Sequence, residues 1–335
     1  MLLSGHDAHH LRQAAERLAA GELVGLPTET VYGLAARADD DEAVARIFEA
    51  KGRPTDHPLI VHVLDAHDAA KFAAGLNNVA HRLIAAFWPG PLTVVVRRAP
   101  GVATAAAAGQ ATIALRCPSH PVAREVLEAA RHLGVFGVAA PSANRFGHIS
   151  PTTAQHVEEE FGPDLLVLDG GECELGIEST IVDCSREHPV LLRPGVLLRA
   201  QIEAAAGEAL REPDEDAPRA SGTLATHYAP RATVRVLSTE SLAKRLSQGR
   251  PERVAVYARA DVTSMAGGDL VLVDGDALLR RMPSEAGAAA HELFAVLRAL
   301  DAAGAREIWI EAPPEAPAWE GVRDRLSRAA ASAGD

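Results

Sequence analysis

The residues of this chain best suited to chemistry form a turn string, Pro27-Thr28-Glu29-Thr30-Val31-Tyr32-Gly33-Leu34, followed by a cationic pair in Lys51-Gly52-Arg53-Pro54. The first string sets hydroxyls, a carboxylate and a phenol on a turn directly after the apolar run Leu23–Leu26. The second sets two cations two residues apart beyond a short helical pattern. Proline restricts and glycine frees the backbone at defined points, so such loops hold donors rigidly around a small polar ligand, with positive charge in reach of phosphate. The chain has only three lysines, Lys51, Lys71 and Lys244, so a lysine inside this motif is not generic surface charge.

Further polar segments are predicted to follow apolar strands, where open α/β sheets bind ligands. They are Lys51–His62, Thr112–Arg116, Pro141-Ser142-Ala143-Asn144 with Ser150-Pro151-Thr152, and Gly176-Ile177-Glu178-Ser179-Thr180. Leu192-Arg193-Pro194-Gly195 adds a cation beside a turn. Each segment has an ordinary structural explanation. Thr28 and Thr30 suit a turn, Lys51 and Arg53 a helix C-terminus, and Ser142 and Asn144 a helix cap. His62 suits a core position, and Arg116 and Arg193 suit surface ion pairs. Six such coincidences in one chain point instead to a site.

Absent motifs narrow the chemistry. No two glycines stand two residues apart, which removes the G-x-G-x-x-G fingerprint, and every lysine follows an alanine, which removes the P-loop. Neither HExxH nor GxSxG occurs. His6, His9 and His10 read as a solvated helix start. A phosphate ligand here therefore needs a less common cradle.

The elements that position these residues follow from periodicity. Leu11, Ala14, Ala15 and Leu18 predict a helix over His6–Ala20 that stops at Gly21. A strand over Glu22–Leu26 leads into the threonine turn, and Asp39–Asp41 cap a helix through Lys51. Strands are predicted at Leu59–Leu64, Leu92–Val96, Thr112–Arg116, Val135–Ala139, Leu165–Leu168 and Thr180–Asp183. Helices are predicted from Asn77/Asn78 through Phe87, over Pro121–His132 and over Thr152–Phe161. The fold class is α/β, with strands too unevenly spaced for a simple βαβ wind. Residues Arg211–Pro218 have linker chemistry. Beyond them, strands near Val234–Leu237, Arg253–Tyr257, Leu270–Val273 and Glu307–Ile310 alternate with helices over Ser241–Ser247, Ser284–Ala303 and Trp319–Ala331, a small doubly wound sheet.

At 335 residues the chain has room for about two domains. Hydrophobic residues make up 47% and charged residues 23%, the balance of a globular protein. No apolar run is long enough to span a bilayer, and the N-terminus lacks the pattern of a secretory signal. Three cysteines without CxxC spacing predict reduced thiols and a cytoplasmic protein. A net charge of −12 argues against coating nucleic acid by bulk electrostatics; phosphate must be met by a local group of arginines and backbone donors.

At these same residues the chain resembles the YrdC-like family in its long, two-domain form. The strings that carry the resemblance, in order, are PTETVYGL, KGRP…HPLIVHV, WPGPLT, APSAN, SPT, GIESTIVD and LLRPG, from about Glu22 to Gly195, with SGTLATHYAP (Ser221–Pro230) similar to the family's linker motif. The resemblance implies a twisted mixed α/β sheet with an open cavity over residues 1–207, a linker over 208–232 reaching across the active site, and a smaller Rossmann-like accessory domain over 233–335. It implies synthesis of L-threonylcarbamoyladenylate and pyrophosphate from L-threonine, bicarbonate and ATP, with Mg²⁺ carried by the nucleotide. The product would pass to a transferase that modifies tRNA to threonylcarbamoyladenosine. Matched position by position, Thr30, His62, Arg116 and Ser179 are expected to hold threonine. Arg53, His57, Thr112, Ser142, Ser150, Arg193 and the linker's Tyr228 are expected on the ATP side. Lys51 and Arg53 are expected to act on the phosphates as the catalytic cations. Two departures are visible: His57 stands where many relatives have Asn, and the linker reads SGTLATHYAP instead of an SPGM-type string.

Two other readings fit less well. A double-stranded RNA module would want a basic stripe interleaved with aromatics, which an acidic chain with 4% aromatic residues does not supply. The related domain of hydrogenase-maturation carbamoyltransferases comes with cysteine-rich zinc modules, for which three scattered cysteines do not suffice.

Overall fold

The computed structural model describes residues 1–224, 227–248, 253–259 and 279–331. The chain separates into two compact units, Met1–Phe146 with Ser150–Thr223, and Gly147–Ile149 with Leu224–Asp335. The expected linker is thus divided: its stretch up to Thr223 packs with the first unit, and His227 and Tyr228 belong to the second.

The first unit is built on a ten-stranded sheet. Its strands are β1 (Leu2–Ser4), β2 (Val24–Leu26), β3 (Gly33–Arg37), β4 (Ile60–His62), β5 (Leu92–Arg97), β6 (Thr112–Arg116), β7 (Val138–Ala139), β8 (Leu166–Asp169), β9 (Thr180–Asp183) and β10 (Val190–Arg193). They lie in the order β1-β8-β2-β3-β7-β4-β6-β5-β9-β10. Four neighbouring pairs are parallel (β1 with β8, β2 with β8, β4 with β6, β5 with β9) and the other five antiparallel, so the sheet is mixed, as the resemblance implies.

The helices form where the apolar spacing predicts them. Helix α1 (Ala8–Ala19) is capped by the Asp7 carboxylate and buries Leu11, Ala14, Ala15 and Leu18. Helix α2 (Asp41–Lys51) is capped by Asp40 and ends at Gly52, whose left-handed φ of 62° reverses the chain. That turn sends Lys51 and Arg53 into different surroundings, and a Cβ would strain it. Asn77 caps the helix Asn78–Phe87, and Thr153 caps Ala154–Phe161. Pro121–His132 is helical as expected.

Several elements depart from the sequence reading. Gly33–Arg37 is a central strand instead of part of the turn; its Gly and Ala residues lack the β-branched signal because elements pack closely around it. Leu2–Ser4 and the helix Arg199–Ala206 also go beyond the periodicity argument. The expected rule that each polar segment follows a strand holds only in part. Lys51 ends helix α2 and Arg53 follows it, Thr112 opens β6, and Gly176–Ser179 precede β9.

The second unit carries a parallel four-stranded sheet in the order β11-β14-β12-β13. These strands are Thr233–Leu237 (β11), Val254–Ala258 (β12), Leu279–Arg281 (β13) and Glu307–Glu311 (β14). Helices Thr239–Ser247, Ala286–Ala302 and Glu320–Ala331 accompany them, so the doubly wound expectation holds for this class of sheet. The strand expected at Leu270–Val273 lies outside the described residues. All three cysteines are free and buried, and no helix among the described residues is long and apolar enough to cross a membrane.

Candidate active site

Three of the four residues expected on the threonine side, His62, Arg116 and Ser179, lie along neighbouring strands of the first unit. His62, the last residue of β4, stands beside Arg116, the last of β6, in parallel register. Arg116 in turn stands opposite Thr93 of β5. The Thr93 and Ser179 hydroxyls hydrogen-bond at 2.7 Å. Arg193 closes the row: its Nε donates to the Ser179 carbonyl at 3.1 Å, and its Nη1 to the Ser221 carbonyl at 2.8 Å. Register partners share a face and side chains alternate along a strand, so His62, Arg116 and Thr93 project to the side that also carries Ile60, Ala114 and Val95. With Ile181 and Leu192 these form a small apolar patch, and Ala217 and Ala220 pack against it. The first part of the expected linker therefore lies on the face that carries the site.

Arg116 is held by a group that the sequence reading passed over. Its Nη2 donates to Glu29 Oε1 at 2.7 Å, with both side chains only 4% exposed. Glu29 Oε2 accepts the Ser119 amide at 3.1 Å. Burial works to raise the Glu29 pKa, but the Arg116 charge and the hydrogen bonds from Arg116 and Ser119 outweigh it, so the carboxyl sits below its usual range and stays ionised. Arg116 Nε reaches the Gly90 carbonyl at 3.4 Å, which leaves Nη1 as the unused end of the fork. The one signal in the sequence was a carboxylate set between two threonines directly after an apolar strand.

His62 is 3% exposed, and its Nδ1 has no hydrogen-bond partner. Burial, with the neighbouring Arg116 charge, pushes its pKa down to about 3, so the ring is neutral at physiological pH. A buried ring nitrogen without a partner costs free energy; Arg116 is the register neighbour of this residue. Thr30 is fully buried in the turn after β2, where its hydroxyl meets that of Thr28 at 2.8 Å and Thr28 also donates to the Val31 carbonyl at 2.6 Å. The Tyr32 phenol donates to the Gly171 carbonyl at 2.7 Å.

The residues expected on the nucleotide side have the following surroundings. Lys51 is 3% exposed and donates from Nζ to the Ser142 carbonyl at 2.6 Å and to the Asn144 carbonyl. Burial, then the Arg53 charge, draws its pKa well below the usual lysine range. Lys51, expected to face phosphate, thus uses two of its three N–H donors to hold the 142–144 loop. The same loop is tied to the threonine turn by the Ala143 amide, which donates to the Tyr32 carbonyl at 2.8 Å, and by a bridge between Gly33 and Ser142. Arg53 donates to the Pro58 carbonyl at 2.9 Å, and its guanidinium carbon lies 5.9 Å from the Phe146 ring centre. The His57 ring lies 5.4 Å from that ring; burial and Arg53 lower its pKa. Ser150 Oγ donates to the Glu178 carboxylate. Thr112 opens β6 on the Arg116 face, four residues away, or about 13 Å at ordinary strand rise. Tyr228 belongs to the second unit, where its ring stacks near Phe294 at 5.2 Å and lies 5.4 Å from the Arg325 guanidinium.

Two places lack chemistry of this kind. An open cavity of about 330 Å³ near the N-terminus, lined by Leu2, Leu3, Ser4, His6, Asp169 and Gly171, contains none of the expected residues. Among the described residues no group of three or more His, Cys, Asp or Glu side chains is placed to hold a metal ion.

Comparison with known proteins shows the family. A family model described as "Telomere recombination" matches residues 16–195, and one described as "Threonylcarbamoyl-AMP synthase, C-terminal domain" matches residues 197–331. The threonylcarbamoyl-AMP synthase of Pyrococcus abyssi is 38% identical over 95% of this chain and 93% of its own. That of Bacillus subtilis is 36% identical over 98% and 94%. A crystal structure of P. abyssi Sua5 complexed with L-threonine superposes with a TM-score of 0.83 at 36% identity, covering 96% of this chain and 94% of that one. Both parts of the chain are matched, in order and nearly end to end, and the chain belongs to the threonylcarbamoyl-AMP synthase family.

Proposed function

We propose that this protein makes L-threonylcarbamoyladenylate and pyrophosphate from L-threonine, bicarbonate and ATP, in service of threonylcarbamoyladenosine modification of tRNA. The observation that carries this reading is the row His62–Arg116–Thr93–Ser179, in which a buried guanidinium and a neutral imidazole are register neighbours. Guanidinium binds carboxylate bidentately, so Arg116 takes the threonine carboxylate. His62 and Ser179 supply neutral hydrogen-bonding partners, and Thr30 closes the turn beside them.

The reaction requires the threonine amine to add to bicarbonate with loss of water. One oxygen of the resulting carbamate then attacks the α-phosphorus of ATP and pyrophosphate leaves, a nucleotidyl transfer. The carbamate is unstable in water, so positioning, charge neutralisation and shielding are what the protein must supply; no cysteine or serine nucleophile is needed. In this reading Arg53, His57, Thr112, Ser142, Ser150 and Arg193 line the ATP side. Lys51 acts chiefly by holding the 142–144 loop, with its third N–H left for phosphate. Mg²⁺ bound to the nucleotide would supply charge neutralisation at the phosphates; the Glu29 and Glu178 carboxylates are themselves engaged by Arg116 and Ser150.

The test is direct. Incubation with ATP, bicarbonate and isotopically labelled threonine should give a labelled threonyl-carbamoyl adenylate by mass spectrometry, with one pyrophosphate per adduct. Pyrophosphate release that does not depend on threonine, with no adduct, refutes the assignment.

A further inference from the structure

Glu29 is a buried charge bonded directly to Arg116, with no substrate contact assigned to it, and its bonds explain what it does. Its two oxygens are divided between the last residue of β6, Arg116, and the amide of Ser119 three residues on. Its own carbonyl accepts the Leu175 amide at 2.7 Å. The carboxylate therefore ties the turn after β2 to the turn after β6.

A buried ion pair of this kind is rarely retained for stability, because an apolar pair of similar volume serves as well or better. What it supplies is direction. A guanidinium has five donors in a rigid plane, and fixing Nη2 on Glu29 and Nε on Gly90 determines where Nη1 points. We infer that Glu29 is the positioning residue for substrate carboxylate recognition: it aims Arg116 at the amino acid and keeps it aimed while the site is empty. It also balances the Arg116 charge, so that the buried guanidinium does not turn to one of the carbonyls nearby when no substrate is present. Glu29 does not act as a proton acceptor in this scheme, because its carboxylate is already committed to two donors.

The inference rests on the assignment of Arg116 to the threonine carboxylate, and the test separates the two. Binding of L-threonine and of L-threoninamide, which lacks the carboxylate charge, is measured by calorimetry on wild type, Arg116→Ala and Glu29→Gln. Wild type should prefer threonine about 10- to 100-fold, the size of a charge-assisted bidentate contact. Arg116→Ala should abolish most of that preference. In Glu29→Gln the amide must set a donor against either Arg116 or the Ser119 N–H, so the preference should fall about 10-fold while threoninamide affinity changes little. A merely structural role would weaken both ligands equally and leave the ratio intact. An unchanged ratio in Glu29→Gln with a lost ratio in Arg116→Ala overturns the Glu29 inference alone. An unchanged ratio in Arg116→Ala overturns the carboxylate assignment beneath it. If Glu29→Gln does not fold, Glu29→Asp, which keeps the charge but falls one methylene short, decides by the same ratio.

Discussion

Replacing Lys51 by methionine removes a buried ammonium while keeping the length and apolar bulk of its stem. The Ser142 and Asn144 carbonyls then lose their donor, and the loop they belong to is the one bridged to Gly33 and bonded to Tyr32. A hydrogen bond from a charged donor is worth about 1.5–3 kcal/mol, and a buried acceptor left without a partner costs about 1–3 kcal/mol. Part of this is offset because methionine removes the cost of burying the ammonium. A net loss of about 2–4 kcal/mol follows from these terms, or a fall in Tm of about 5–15 °C for a unit of this size. Scanning calorimetry reads the stability, and threonine-dependent pyrophosphate release reads the function. Activity should fall at least 10-fold even below the lowered Tm, because the loop carrying Ser142 is no longer fixed against the threonine turn. Lys51→Arg should not restore it, since a planar fork does not reproduce a compact ammonium between two carbonyls. A Lys51→Met variant with parental Tm and parental turnover would refute the loop-holding role.

Other consequences follow from single positions. A Cβ on Gly195 would lie 2.6 Å from the Thr180 amide nitrogen and 2.9 Å from the Glu178 carbonyl; Gly195→Ala should destabilise the first unit by about 1–3 kcal/mol, read by urea unfolding, and displace the Gly176–Thr180 turn. His62 is pushed down to about 3 from an ordinary value of 6.5, so between those values the unfolded chain binds the extra proton and stability rises with pH. Wild type should therefore lose stability on acidification through that window, and His62→Asn should lose less; equal slopes would remove His62 from the buried row. Cys117, Cys173 and Cys184 are buried with thiol pKa values raised by burial, Cys184 to about 12. A disulfide reagent at pH 8 should label none of them in native protein and all three after unfolding.

How far the sequence was readable depends on the range of the interaction concerned. Local rules located the helices: Asp7, Asp40, Asn77 and Thr153 cap them as Asp, Asn and Thr do, and Gly52 ends one because it alone tolerates the left-handed turn there. The strand Gly33–Arg37 escaped because small residues at a crowded centre carry no β-branched signal. The ordered polar strings were visible as a set, and two of the positions they imply, His62 and Arg116, stand side by side in register; Thr93, opposite Arg116, was not among them. Which cation does what was not visible. Lys51 and Arg53 are neighbours in sequence, yet Gly52 sends one to the 142–144 loop and the other toward Pro58 and Phe146.

The partner of Arg116 was hidden for a different reason. Glu29 and Arg116 lie 87 residues apart, and nothing in the composition or spacing of either segment states that they meet. A carboxylate beside the carboxylate-binding arginine even runs against simple electrostatic expectation, since it competes with the substrate for the same charge. The contradiction resolves once geometry is considered. An arginine without a fixed partner would satisfy itself on backbone carbonyls, and each binding event would have to break those bonds. An arginine with one edge already committed presents the other at little reorganisation cost, which is the preorganisation that a site handling an unstable carbamate requires. On this argument the attraction lost to Glu29 is smaller than the reorganisation it avoids, and the threonine-to-threoninamide ratio in Glu29→Gln measures the sign of that difference.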